Sequence, residues 1–213
     1  MNALDDIGVR LRKSRTDVGI SVRELARKAG VSASLVSQIE NGKARPSVAT
    51  LYALVQHLNL SVDELFTETE RPETALTVLP ADGGLSAPAA FASVQKLISA
   101  PMMQPGESRS TLRLEGGITW ERLTPCDVPG VDFLRITYDV GGASCAEGSR
   151  QTHRGHEFGH LLSGRLGVTV GFDTSEIGPG DSVYFDSSTP HRLFNAGDVP
   201  AIGIWMVHAP FES

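Results

Sequence analysis

The 213-residue chain reads as an α + β protein of two domains, helical in its first third and antiparallel β in its second half. Three observations give that class. Apolar residues recur with a helical period as far as Phe66, and from Ser108 onward they alternate with period two in short runs separated by glycine. Between the two, from Thr67 to about Glu107, the composition turns to Pro, Ala, Gly, Ser and Thr. The expected organisation is a helical domain over 1–66, a linker over 67–107 and a β domain over 108–213. Each domain is large enough to bury its own core.

The elements follow in order. Leu4 to Val18 forms a first helix, with Ile7, Leu11 and Val18 on one side and Arg10, Arg12, Lys13 and Arg15 towards solvent or phosphate. Ser21 and Glu24 make an S-x-x-E capping box, so a second helix starts there. Its apolar face is Val22, Leu25, Ala26 and Ala29, with Arg23 outside that face, and Gly30 stops it by turning left-handed. Ser32 caps a third helix whose stripe of Leu35, Val36 and Ile39 packs inward, leaving Ala33, Ser34, Ser37 and Gln38 outward. After Pro46, Val48 to Leu60 is a fourth helix, and SVDELF, ending at Phe66, is a short capped fifth.

Two short helices meeting at a tight turn place the second in the major groove of DNA, where Gln pairs bidentately with adenine and Ser reaches several base edges. Asn41, Lys43 and Arg45 follow at the helix end, positioned to grip phosphate. GVSASLVSQIENGK followed by PSVATLYALVQHLNLSVDELF resembles the five-helix, lambda-repressor-like domain of Xre-type helix-turn-helix proteins, over Leu4 to Phe66. The resemblance implies that Ala33, Ser34, Ser37 and Gln38 approach bases and that Asn41 holds a phosphate. With Ser32, Arg23, Lys43 and Arg45 they complete the expected DNA-binding set.

Charge supports this division. Residues 1–66 hold nine Lys/Arg and seven Asp/Glu, a balance of +2, whereas the rest holds ten and eighteen, a balance of -8. A +2 module neutralises few phosphates, so useful affinity for a double-stranded operator calls for a homodimer on a near-palindrome. Cys126 and Cys145 are the only cysteines and form no C-x-x-C, which points away from a disulfide scaffold and towards a cytoplasmic protein. No apolar run is long enough to cross a bilayer, so no membrane partner is expected.

In the second half, TLRLEGG, ITWERLT, VDFLRITYDVGG, FGHLLSG, RLGVTVGF, DSVYFD, HRLFNAGD and AIGIWMVH are strands of a sandwich or barrel. Phe133, Phe172 and Ile204 are among its expected core residues. QTHRGHEFGHLLSG supplies His153 and Glu157, and GPGDSVYFDSSTPHRLFN supplies His191. Two imidazoles and a carboxylate from separate strands are a 2-His-1-carboxylate set for a divalent metal, Fe, Zn, Ni or Mn. Gln151, two residues before His153, adds a fourth oxygen ligand. A polar pocket that binds an organic ligand directly, or a buried hydrogen-bond network, is the alternative use of the same residues.

These segments resemble the paired motifs of the cupin superfamily over about Gly116 to His208, which implies an antiparallel jelly-roll barrel. Gln151 stands where that family usually has its first histidine, so metal affinity and identity depart from the pattern. GITWERLTP and YFDSSTPHRLFNAGDVPA also resemble regulators that join an Xre-type domain to a cupin. Their likeness implies a transcription regulator, not an enzyme, whose cupin senses a small-molecule effector. The rival is a non-heme metal oxygenase or epoxidase of the cupin type fused to a helix-turn-helix.

Overall fold

The computed structural model describes residues 3–58, 60–66 and 102–209. Four α-helices come first: α1 (Ala3–Asp17), α2 (Val22–Ala29), α3 (Ala33–Glu40) and α4 (Val48–Leu58). Ser21 Oγ accepts the Glu24 amide, Gly30 closes α2 at φ 68°, and Ser32 Oγ accepts the Leu35 amide at the start of α3. The fifth helix is reduced to one 3-10 turn, Asp63–Leu65. Its capping box forms, with the Ser61 amide 2.7 Å from Glu64 Oε2 and the Glu64 amide 3.1 Å from Ser61 Oγ. Phe66 then leaves in extended backbone, which ends the turn before a second can form.

Two residues of the first helix depart from expectation. Val18 lies past the end of α1 and is exposed. Arg15 is half-buried against the buried Glu40, with Nε 2.6 Å from Glu40 Oε1 and Nη2 3.0 Å from Glu40 Oε2, while Nη1 donates to Ile20 O at 2.8 Å. This two-pronged pair fixes α1 against the C-terminal end of α3 and so orients that helix.

Nine strands follow: β1 (Thr111–Leu114), β2 (Ile118–Arg122), β3 (Val131–Tyr138), β4 (His156–Ser163), β5 (Leu166–Val170), β6 (Asp173–Ile177), β7 (Ser182–Asp186), β8 (His191–Asn195) and β9 (Ala201–His208). All pairings are antiparallel, in a six-stranded sheet β1-β2-β3-β9-β4-β7 and a three-stranded sheet β6-β5-β8. Among the described residues the expected closed barrel does not form. The free side of β8 meets only isolated bridges at Ala143 and Gln151, so the two sheets stay separate.

Alternation decides which face is buried. Leu134, Ile136 and Tyr138 of β3 and Trp205 and Val207 of β9 point inward, against Leu166, Val168 and Leu193 of the smaller sheet. Phe133 and Ile204 fall on the opposite parity and face out, and Phe172 sits exposed at the β5–β6 turn. The expected core is corrected at those three positions.

The helical domain is docked on the β domain. Pro46 O accepts the Glu115 amide at 2.9 Å, and Arg122 Nη1 lies 3.6 Å from the buried Asp63 carboxylate and over the Phe66 ring. Tyr52 of α4 reaches the β-domain interior. Most of the expected linker, residues 67–101, lies outside the described residues.

Candidate nucleic-acid interface and metal centre

On α3 the apolar residues Val36 and Ile39 are buried, and Ser34 and Gln38 are exposed on the other side. Gln38 Nε2 lies 3.3 Å from Ser34 Oγ, one helical turn away, so the two form a single polar row. Ala33 and Ser37 flank it, half-buried, and Ser32 is exposed at the N-cap. Asn41 caps the end of α3 through Nδ2 to Ser37 O at 2.7 Å, and Gly42 follows at φ 66°. Arg23 and Lys43 are exposed, and Arg45 is half-buried beside Arg113 and Glu115.

The second site is interior. Gln151, His153, Glu157 and His191 are all buried, and the structure brings the four together. His153 and Gln151 lie in the segment before β4, Glu157 on β4 and His191 at the start of β8. His191 Nδ1 faces Thr189 O at 2.9 Å and His153 Nδ1 faces Arg154 O at 3.1 Å. A carbonyl only accepts, so each Nδ1 carries a proton; each Nε2 then offers a lone pair to a cation or, when the ring is protonated, donates to the Glu157 carboxylate.

Both Nε2 atoms converge on Glu157. Its Oε1 is 2.8 Å from His153 Nε2 and 3.1 Å from His191 Nε2, and one ligand atom from each residue falls within a 4.8 Å cluster. The His153 approach is close yet lacks hydrogen-bond geometry, which leaves a buried nitrogen without a partner. Metal bonds of about 2.0 to 2.1 Å put neighbouring ligand atoms about 3 Å apart, so the spacing and the orphan nitrogen fit a cation at their centre.

The surroundings support the same charge state. Trp205 Nε1 donates to Glu157 Oε2 at 2.7 Å and Ser187 Oγ to Oε1 at 3.3 Å. Burial opposes ionisation of Glu157, but hydrogen bonding and charge from His153 and His191 outweigh it and hold its pKa at about 2. Gly159 permits this arrangement, since any side chain there would collide with the Trp205 ring. Gln151 places Nε2 3.1 Å from His191 Nε2 and leaves Oε1 buried without a partner. Turning that amide over would direct its oxygen to the centre.

The other histidines belong elsewhere. His156 pairs with Tyr184 Oη at 3.2 Å and His160 with Ser182 Oγ at 3.0 Å, both away from the buried cluster. Arg165 forms an exposed pair with Glu176, and Arg192 lies over Phe194. Cys126 and Cys145 are free and buried.

A helix-turn-helix family profile matches residues 11–65 and a cupin domain profile matches residues 134–207. The HTH-type transcriptional regulator PuuR of Escherichia coli is 26% identical over 188 residues, covering 88% of this chain and 86% of its own. The chain is a helix-turn-helix transcriptional regulator with a cupin domain. A solved HTH_3 family transcriptional regulator from Vibrio cholerae shares the fold with a TM-score of 0.62 and 20% identity, over 98% of this regulator and 97% of that chain. Hydroxypropylphosphonic acid epoxidase from S. wedmorenis aligns over 96% of the regulator and 97% of its own chain, at a TM-score of 0.40 and 17% identity. No helix among the described residues is long and apolar enough to cross a membrane.

Four contributors to the regulator's sites escape a reading of motifs. Trp205 and Ser187, which hold Glu157, carry no spacing signal, although Trp205 shares an inward face with Val207. The Arg15–Glu40 pair joins residues 25 positions apart. Tyr52 comes from the other domain.

Proposed function

We propose that the protein binds a near-palindromic DNA operator as a cytoplasmic homodimer and that its cupin pocket senses a small-molecule effector. A divalent metal, Zn, Ni, Fe or Mn, is held by His153, Glu157 and His191, with Gln151 as an oxygen donor. The observation that carries the reading is the exposed polar row Ser34 and Gln38 on α3, held by the Arg15–Glu40 pair. Ala33 and Ser37 join that row at base edges. Ser32, Asn41, Lys43, Arg45 and Arg23 position the domain on phosphates.

Dimerisation has support on the outer face of the six-stranded sheet. Phe133, Met206, Phe158 and Tyr184 stand in register across β3, β9, β4 and β7, and three of the four are exposed. A helix-turn-helix dimer bound to one duplex places its recognition helices on half-sites about 34 to 36 Å apart. A sensor suits the pocket better than an oxygenase, because Gln151 stands where dioxygen chemistry needs an open coordination position.

Selection from a random duplex library with the full chain tests the reading. Gln38→Ala should weaken binding to the selected operator by about 1 to 3 kcal/mol and leave random DNA nearly unchanged. Lys43→Ala should weaken both and lower the salt slope by about 1. Equal losses on operator and random DNA for both variants would overturn it.

A further inference from the structure

Tyr52 belongs to α4 of the DNA-binding domain, yet its side chain completes the interior of the cupin. Its ring is stacked on the His153 imidazole with 3.7 Å between centroids and 11° between planes, and stands 6.0 Å from Trp120. At that separation the two faces are in van der Waals contact and nothing passes between them. With Tyr52 in place, the free space bounded by Trp120, Ile136, Tyr138, Glu157 and Trp205 is about 20 Å³. That volume takes one water or one ion. Pockets that enclose organic ligands measure about 300 to 1,000 Å³.

The same face of the domain is tied down at two more points. The buried Asp63 carboxylate lies 3.6 Å from Arg122 Nη1, and the Pro46 carbonyl accepts the Glu115 amide at 2.9 Å. Pro46 directly follows Arg45, and Ser47 caps α4 through its Oγ to the Thr50 amide at 3.1 Å. A displacement of Tyr52 therefore pulls on the helix that begins next to the phosphate-facing end of the recognition motif.

We infer that Tyr52 is a built-in occupant of the sensor pocket, so that binding of an organic effector and docking of the DNA-binding domain exclude each other. Tyr52 covers the face of His153 and leaves Nε2 directed at Glu157, so a metal alone does not compete with it. An organic molecule needs the volume that the tyrosine ring fills. Its entry expels Tyr52, frees the domain and removes the fixed spacing between the two recognition helices of a dimer. The inference rests on the regulator reading, and its test separates the two.

Spin labels at Lys28→Cys and Asp173→Cys, both exposed positions on opposite domains, report the docking distance in the full chain diluted with unlabelled protein. The native cysteines are buried. Ile136→Trp fills the pocket from the cupin side, in place of an effector, and Tyr52→Ala removes the occupant from the other side. Tyr52→Phe keeps the stacked ring. The wild type and Tyr52→Phe should give one narrow distance, whereas Ile136→Trp and Tyr52→Ala should give a broad one and bind the selected operator about 5- to 150-fold more weakly. The same narrow distance in Ile136→Trp and Tyr52→Ala overturns the inference, whatever their DNA affinity. Loss of the narrow distance in both, with no operator selected by the wild type, upholds the inference and overturns the regulator reading.

Discussion

The recognition helix and the cupin pocket both present polar side chains in a row, but the first row faces water and the second is buried. Ser34 and Gln38 keep their hydrogen-bonding groups at the solvated surface, so DNA meets them with only their own exposed contact to give up. His153, Glu157, His191 and Gln151 sit in a dry interior, where each unpartnered lone pair is costly and a bound cation or ligand is the natural remedy. The contrast suits a surface that reads and an interior that is occupied. The docked Tyr52 is the physical link between them.

The largest effect expected from breaking this contrast lies beneath the recognition helix. Arg15→Ala leaves the Glu40 carboxylate buried without its two hydrogen bonds, and a loss of about 3 to 5 kcal/mol in urea unfolding should follow. The double variant Arg15→Met with Glu40→Leu should recover most of it. Specific DNA binding should fall with the single variant even where the fold survives.

Next comes the support of the interior site. Trp205→Phe keeps the apolar wall and removes the donor to Glu157 Oε2, so affinity for Zn(II) measured by competition with a chelator should drop about 10- to 100-fold. An unchanged affinity would show that the indole acts only by packing.

A third effect lies at the junction of the two domains and develops only as pH rises. Burial raises the Asp63 pKa to about 7 despite Arg122 nearby, with Asp132 and Asp127 adding to the rise. Burial also raises Asp132 to about 7, against a hydrogen bond from the Asp63 backbone and with Asp127 and Glu157 adding to the rise. An aspartate raised from its unfolded value of about 3.9 binds more protons when folded, so its contribution is full below pH 4 and is lost as pH rises through about 7. Asp63→Asn should therefore gain stability relative to the wild type as pH is raised from 4 to 7, in paired urea titrations. A constant difference across that window would remove Asp63 from the account.

How much could be read from the chain follows the same division. Caps, turn glycine and apolar stripe lie within a few residues of one another, so α2, the turn and α3 were legible almost residue by residue. Period-two alternation reveals the strands, and the residue types in two short segments bring out His153, Glu157 and His191. It did not reveal the parity that turns Phe133 and Ile204 outward, because an apolar run on an exposed sheet face looks like a core strand. The fifth helix is shorter than its capping box suggests, since a cap fixes where a turn starts and not how far it continues. Closure of a barrel, the Arg15–Glu40 pair and the insertion of Tyr52 all depend on contacts between distant segments, which local pattern does not encode.

The central claim is that occupation of the cupin interior changes the grip of α3 on DNA. Native mass spectrometry of freshly purified protein mixed with a limiting amount of selected operator reads both ends at once. The account predicts a dimer on DNA whose load of metabolite differs from that of the free dimer in the same sample, because a ligand moves the equilibrium only when its affinity differs between the two states. Equal loads in the free and DNA-bound species would contradict it.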